Sequence, residues 1–186
     1  MSDGGTVPKV EVEFSREVSV DDLWGEERCF SIEADAAERQ ALAERFELGA
    51  LAALHADVRL RRDPGDDQIR LSARFVADVV QSCVVSLEAV PAHIEEEIRL
   101  TFVSADRDLC PRDVWIDPER DDPPEPLLGE TIDLGEIVAQ ALAIAIDPYP
   151  RRSDVSVADF REVPDEAPPA AGNRPFAALR ELGRRQ

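Results

Sequence analysis

The sequence predicts an α+β fold: an antiparallel sheet of four to five strands, with two main helices packed on one face. Three observations point to it. Apolar and polar residues alternate on both sides of a turn at Asp63-Pro64-Gly65-Asp66, the period of a hairpin with one buried face. A further alternating segment runs through Ile94, Ile98, Leu100 and Phe102. Two segments of helical period each open on an aspartate followed three residues later by a glutamate.

In chain order, Lys9 to Phe14 alternates as a half-buried strand, and Asp21 to Glu27 is a polar connection carrying Trp24. Asp35 and Glu38 form a capping-box pattern for a helix running to about Leu48, with Leu42 and Phe46 on one face. Gly49 follows where a left-handed cap suits glycine. Leu54, Ala56, Val58 and Leu60 then alternate with His55, Asp57, Arg59 and Arg61. After the turn, Ile69, Leu71, Ala73 and Phe75 alternate with Arg70, Ser72 and Arg74, and a more uniformly apolar stretch runs to Leu87. Pro91 is expected to break this strand before the Ile94–Phe102 strand begins, whose other face carries Glu95, Glu97 and Arg99. No period is visible from Asp106 to Glu130, and Asp121 to Pro126 reads as an exposed acidic loop. Asp133 and Glu136 are placed as the capping box of the second helix, whose apolar face is Leu134, Ile137, Val138, Ala141, Leu142 and Ala145. Asp147-Pro148-Tyr149-Pro150 stops it. One domain over 1–165 is expected, followed over 166–186 by the rest of a linker rich in proline and alanine (Pro164 to Asn173) and a short helix with Phe176, Leu179 and Leu182 on one face.

Composition narrows the function. Forty Asp and Glu against 21 Lys and Arg give a formal net charge of −19 in 186 residues. That field repels phosphate backbones at long range and attracts basic partners, so general nucleic-acid binding is disfavoured and only a local basic patch would serve. Cys29, Cys83 and Cys110 are odd in number and widely spaced, unlike a secreted disulfide framework. The first residues carry no signal-peptide pattern, and the longest apolar stretch, Ile137 to Ile146, is half the length of a membrane span. A soluble cytoplasmic protein is expected.

Candidate chemistry is sparse. Cys83 lies in an apolar strand, where cysteine behaves as a small hydrophobe. Metal ligation would need partners, and His55 and His93 are the only histidines. With a hairpin folded near Val90, His93 would lie about 13 Å along the strand from the position facing Cys83, at ~3.4 Å per residue. No metal site and no cofactor are therefore expected. Glu95, Glu96 and Glu97 alternate across a strand, and Asp121 and Asp122 sit in a proline loop that offers no burial to tune a carboxyl. No nucleophile elbow, phosphate loop or dinucleotide fingerprint occurs, so no catalytic residue is assigned. The local feature that stands out is basic. With the turn at Pro64-Gly65, Arg61 faces Arg70, Arg59 faces Ser72 and Asp57 faces Arg74, which puts Arg59, Arg61, Arg70 and Arg74 on one face. Like charges opposite one another destabilise a sheet, so the cluster calls either for acidic neighbours or for a polyanionic ligand.

Two segments and the tail carry a family likeness. Val79 to Val90, which holds Gln81, Cys83, Leu87 and Glu88, resembles the YceD segment in which a cysteine-containing strand runs into Leu-Glu-Pro. Ile132 to Arg151, with Asp133, Leu134, Asp147, Pro148 and Pro150, resembles that family's second signature, a helix ending in a proline-rich stop. Asn173 to Leu179, around Phe176, is similar to its closing Pro-Phe-Ala-x-Leu element. The likeness spans roughly 50–182 and is strongest over 50–150. Many members carry Cys-x-x-Cys in the first signature; here Ser86 stands at the second position, so a family zinc site does not transfer. The resemblance implies a bacterial, non-enzymatic role in large ribosomal subunit production, supporting accumulation of its rRNA. The implied partners are large-subunit rRNA or a pre-ribosomal particle, or a basic ribosomal protein, with no membrane. The candidate contact residues are Arg59, Arg61, Arg70 and Arg74, with Arg180, Arg184 and Arg185 a second set. The competing reading is an acidic scaffold or adaptor unrelated to ribosomes.

Overall fold

Alternation of buried and exposed residues builds the centre of the molecule. The computed structural model describes residues 12–23, 26–62, 65, 68–104, 123–127 and 129–156. The chain divides into two units, Met1–Ser153 and Asp154–Gln186, and every described helix and strand lies in the first. Strands β3 (Ala50–Arg62), β4 (Ile69–Ser82) and β5 (Ala89–Ser104) form a long antiparallel meander. Strand β2 (Arg28–Glu33) pairs antiparallel with β3, and β6 (Glu125–Leu127) pairs parallel with β5, giving the order β2-β3-β4-β5-β6. A second, two-stranded sheet joins β1 (Glu17–Ser19) to β7 (Thr131–Asp133). The fold is α+β as expected, with one parallel pair that alternation did not reveal.

One face of the large sheet is the core. Leu54, Ala56, Val58 and Leu60 of β3 and Leu71, Phe75, Ala77 and Val79 of β4 are buried together with Leu42 of α1 (Ala36–Arg45) and Leu134, Val138 and Leu142 of α2 (Leu134–Ala145). The register of the β3–β4 hairpin is the expected one: Arg61 faces Arg70, Arg59 faces Ser72 and Asp57 faces Arg74.

Several expectations are corrected. Val12 to Phe14 is not a strand; Phe14 turns inward as a fully buried plug, and the strand begins at Glu17. Lys9 to Glu11 lie outside the described residues. The polar connection after it opens with a 3₁₀ turn, Val20–Leu23, that buries Leu23, and β2 follows at Arg28. The capping box of α1 is present, with Asp35 accepting from the Ala37 and Glu38 amides and Glu38 accepting from the Asp35 amide. The helix ends at Arg45, however, and Glu47 rather than Gly49 takes the positive φ of 54°. Gly49 instead donates its amide to the Val80 carbonyl at 2.7 Å. Strand β4 stops at Ser82, and a turn over Val84–Ser86 replaces the expected strand to Leu87. Pro91 does not break a strand. It sits within β5 opposite Val80, on a stretch of β5 that has β4 on one side only, where a missing N–H costs no ladder bond. Pro126 is likewise tolerated on the edge strand β6. Asp121 and Asp122 and the closing segment from 157 onward lie outside the described residues.

At α2 half of the expected capping box forms. Asp133 Oδ1 accepts from the Gly135 and Glu136 amides at 3.0 and 3.3 Å and from the Arg16 amide at 2.8 Å, while Oδ2 accepts from the Ser15 hydroxyl at 2.6 Å. Glu136 does not return to the cap. It takes a bidentate pair from Arg45 of α1, both bonds 3.0 Å, and so ties the helices together. Arg16 clamps Glu38 in the same way at 2.6 and 2.9 Å.

These pairs set an acid limit. The Arg45 hydrogen bonds hold the Glu136 carboxyl below its ordinary 4.5, and those of Arg16 do the same for Glu38. A carboxyl depressed on folding stabilises the fold above its unfolded value and loses that contribution as pH falls through the folded one. Thermal melting between pH 7 and about pH 3 is therefore expected to show a midpoint that drops below pH ~4.5, with a shallower drop in Glu136→Gln. Equal slopes for the two proteins would contradict the assignment. The general relief of the −19 charge acts on both alike and cancels in the comparison.

Candidate nucleic-acid interface

The face of the sheet opposite the helices is open, and its residues form rows across the strands. Beginning at the β3–β4 turn, the first row is Arg61, Arg70 and Thr101; the second is Cys29, Arg59, Ser72 and Arg99. The third row mixes signs, with Ser31, Asp57, Arg74 and Glu97, and beyond it come Glu33, His55, Val76 and Glu95, then Asp78 and His93. Rows lie roughly 7 Å apart, two residues along a strand. The face is thus polarised: the turn end gathers Arg59, Arg61, Arg70 and Arg99, and acids and histidines occupy the far end.

Of the four expected arginines, Arg59, Arg61 and Arg70 stand together, exposed. Arg74 shares the face but lies on the boundary, ion-paired with Glu95. Arg99, not singled out from the sequence, completes the cluster, because β5 places it opposite Ser72 beside Arg59. Alternation assigned its face; its place in the cluster followed only from the register. Arg99 is held by Glu97 at 2.7 Å with both side chains largely exposed, a pair worth little in water. Arg59 has no hydrogen bond or ion pair among the described residues.

These arginines border an open concavity of about 1210 Å³, with Glu27 on one side and the Pro123–Pro126 segment on the other. It exceeds the ~300–1,000 Å³ of small-molecule pockets and is not enclosed, a shape for a chain or a surface. No aromatic residue stands in these rows. The rows thus offer charge and hydrogen-bond donors, and no surface for base stacking.

The other candidate groups do not assemble. Among the described residues no three His, Cys, Asp or Glu side chains cluster as metal ligands. The β4–β5 turn lies at Cys83–Glu88, not near Val90, so His93 pairs with Asp78 and its Nδ1 lies 2.7 Å from that carboxylate. Cys83 is fully buried, but at the turn rather than in a strand. Burial opposes its ionisation; the Ser86 hydroxyl and amide, with the Arg152 and Val85 amides, outweigh it and hold the thiol below its ordinary range. Ser86, at the second position of the family's cysteine pair, thus hydrogen-bonds the cysteine that remains.

The signature positions have structural work. The Gln81 side chain donates to the Asp147 carbonyl at 2.7 Å, the Val84 amide to the Pro150 carbonyl at 2.9 Å, and the Cys83 amide to the Glu88 carbonyl at 2.8 Å. Arg152 pairs with Glu88. The turn after β4 and the proline stop after α2 are thereby stitched together, which explains why both motifs occur in one chain. Leu87 closes this turn with a φ of 62° and a side chain 79% exposed. Phe176 lies outside the described residues.

A family model described as "Large ribosomal RNA subunit accumulation protein YceD" matches residues 71–183, well over half of the chain. The chain belongs to the YceD family. The stitched turn and stop both fall within the matched residues, as do Arg74 and Arg99, whereas Arg59, Arg61 and Arg70 precede them. No curated protein and no solved structure matches the chain. The YceD description names accumulation of large-subunit ribosomal RNA and names no reaction. No described helix is long and apolar enough to cross a membrane.

Proposed function

We propose that this YceD-family chain is a non-enzymatic factor in large ribosomal subunit biogenesis, and that the arginine end of its open face contacts rRNA phosphates. The observation that carries the reading is the gathering of Arg59, Arg61, Arg70 and Arg99 in two adjacent rows of a protein whose formal net charge is −19. A polyanion approaching this protein meets net repulsion, which such a cluster outweighs locally. Contact at this end of the face is local, not wrapping. Phosphate contacts position a protein on RNA without reading sequence, so the site docks on a shape. The −19 charge also suits transient handling of a basic ribosomal protein.

Sedimentation of cell extract tests the placement. The full-length protein is expected to travel with large-subunit precursor particles and to be released by ribonuclease or by raising salt to about 0.5 M, since phosphate contacts are lost to counterions. Recovery in a ribosome-free complex that ignores ribonuclease would contradict this reading and favour an acidic adaptor.

A further inference from the structure

The opposite side of the sheet holds a second surface. Strand β5 lies beside α2 there, and between them runs a groove of about 720 Å³. Its floor is Phe75, Ile98 and Leu100, and its wall is Ile137, Ala141 and Ile144 of α2. Ile144 is 86% exposed. An aliphatic side chain so placed gains nothing for the fold, and the apolar wall it tops leads directly into the core floor. From Ile137 to Ile144 the groove follows the helix for about 10 Å, two turns at ~1.5 Å per residue.

The charge at this groove is negative in balance: Glu96, Glu97 and Glu125 line it against Arg99, which Glu97 already pairs. Alternation along β5 puts Glu96 on the apolar face, opposite fully buried Phe75, and Glu125 of β6 also lines the groove. Neither carboxylate has a hydrogen bond or ion pair among the described residues. The other carboxylates central to the fold are paired: Glu38 with Arg16, Glu136 with Arg45, Glu88 with Arg152. Glu96 and Glu125 are both exposed at an apolar groove, where their negative potential complements a cationic segment.

We propose that this groove docks an amphipathic basic segment of a partner protein. Two or three of its apolar side chains fill the space beside Ile144 and Ile98, and a Lys or Arg meets Glu96. RNA is disfavoured at this groove because its three carboxylates outnumber Arg99. The groove meets the arginine end at β5, since Arg99, Leu100 and Glu125 border both, but Glu96 and the α2 wall belong to the groove alone, and all its residues fall within the family match.

The test selects random peptides of about 16 residues, displayed on phage, on the full-length protein, with Ile144→Glu as counter-selection. The expected result is enrichment of peptides with apolar residues at helical or alternating spacing and an excess of Lys and Arg. Their affinity should fall roughly tenfold or more in Glu96→Lys and return when the peptide's basic residue is exchanged for Glu. Both substitutions lie at exposed positions, and thermal melts matching the wild type establish that the variants are folded. No enrichment, enrichment of neutral or acidic peptides, or equal binding by Glu96→Lys overturns the proposal. RNA-binding measurements on the same variants are expected to be unchanged, which separates this site from the arginine end.

Discussion

Gly135→Ala is expected to destabilise the protein by about 3 kcal/mol, lowering its melting midpoint by roughly 10 °C. On propensity alone the substitution would help, because alanine is favoured over glycine inside a helix by ~1 kcal/mol. Packing reverses the sign. A methyl group at Gly135 would lie 2.5 Å from the Phe14 carbonyl oxygen, 2.8 Å from its carbon and 3.1 Å from the Ser15 Cα. All three are backbone atoms, so no rotamer change relieves the overlap. The segment that must move carries the buried Phe14 plug and the Ser15 and Arg16 groups bound to Asp133. Gly65→Ala is the control: Gly65 has a φ of 95° but open space around it, and its replacement is expected to cost only ~1 kcal/mol of backbone strain. Equal stability of the two variants, read by thermal or urea unfolding, would contradict the close approach of the Phe14 backbone to α2.

That approach also marks the border of what the residues disclose by themselves. Alternation is a local signal, and it delivered β3, β4, their register and the side of the sheet on which each arginine lies. Helical period and capping residues delivered α1 and α2. The failures share a cause. Strands β1, β6 and β7 have three residues each and exist because a distant partner accepts their hydrogen bonds, Ser15 and Arg16 meeting Asp133 across more than 110 positions. Strand β2, longer at six residues, was missed although Phe30 and Ile32 alternate with Ser31 and Glu33. Gly135 looks like an ordinary helical residue until the chain passing over it is seen. The site divides along the same line: Arg59, Arg61 and Arg70 were visible because one hairpin contains them, and Arg99 was not, because it arrives on the next strand. The apolar groove was out of reach for the same reason, being made from α2 and β5 together.

Replacing Arg59, Arg61, Arg70 and Arg99 together by Ser is expected to weaken rRNA binding on the order of 100-fold at low salt. The fold should persist. All four side chains are exposed, and removing Arg61 and Arg70 from directly opposite positions relieves like-charge contact. The loss should exceed what the same change achieves on a neutral protein, because the remaining charge of the molecule is repulsive. Arg74→Ser alone is expected to change little, since Arg74 stands between Glu95 and Glu97 and its charge is already opposed.

The most direct measurement is the salt dependence of binding between the full-length protein and large-subunit rRNA fragments, compared for the wild type and the fourfold variant. Each phosphate contact contributes about 0.7 to 0.9 to the slope of log K against log salt. Phosphate contact at the arginine end of the open face requires the variant's slope to be shallower by about 3, with the Arg74→Ser slope unchanged. Wild type and fourfold variant binding with the same affinity and the same slope would contradict it.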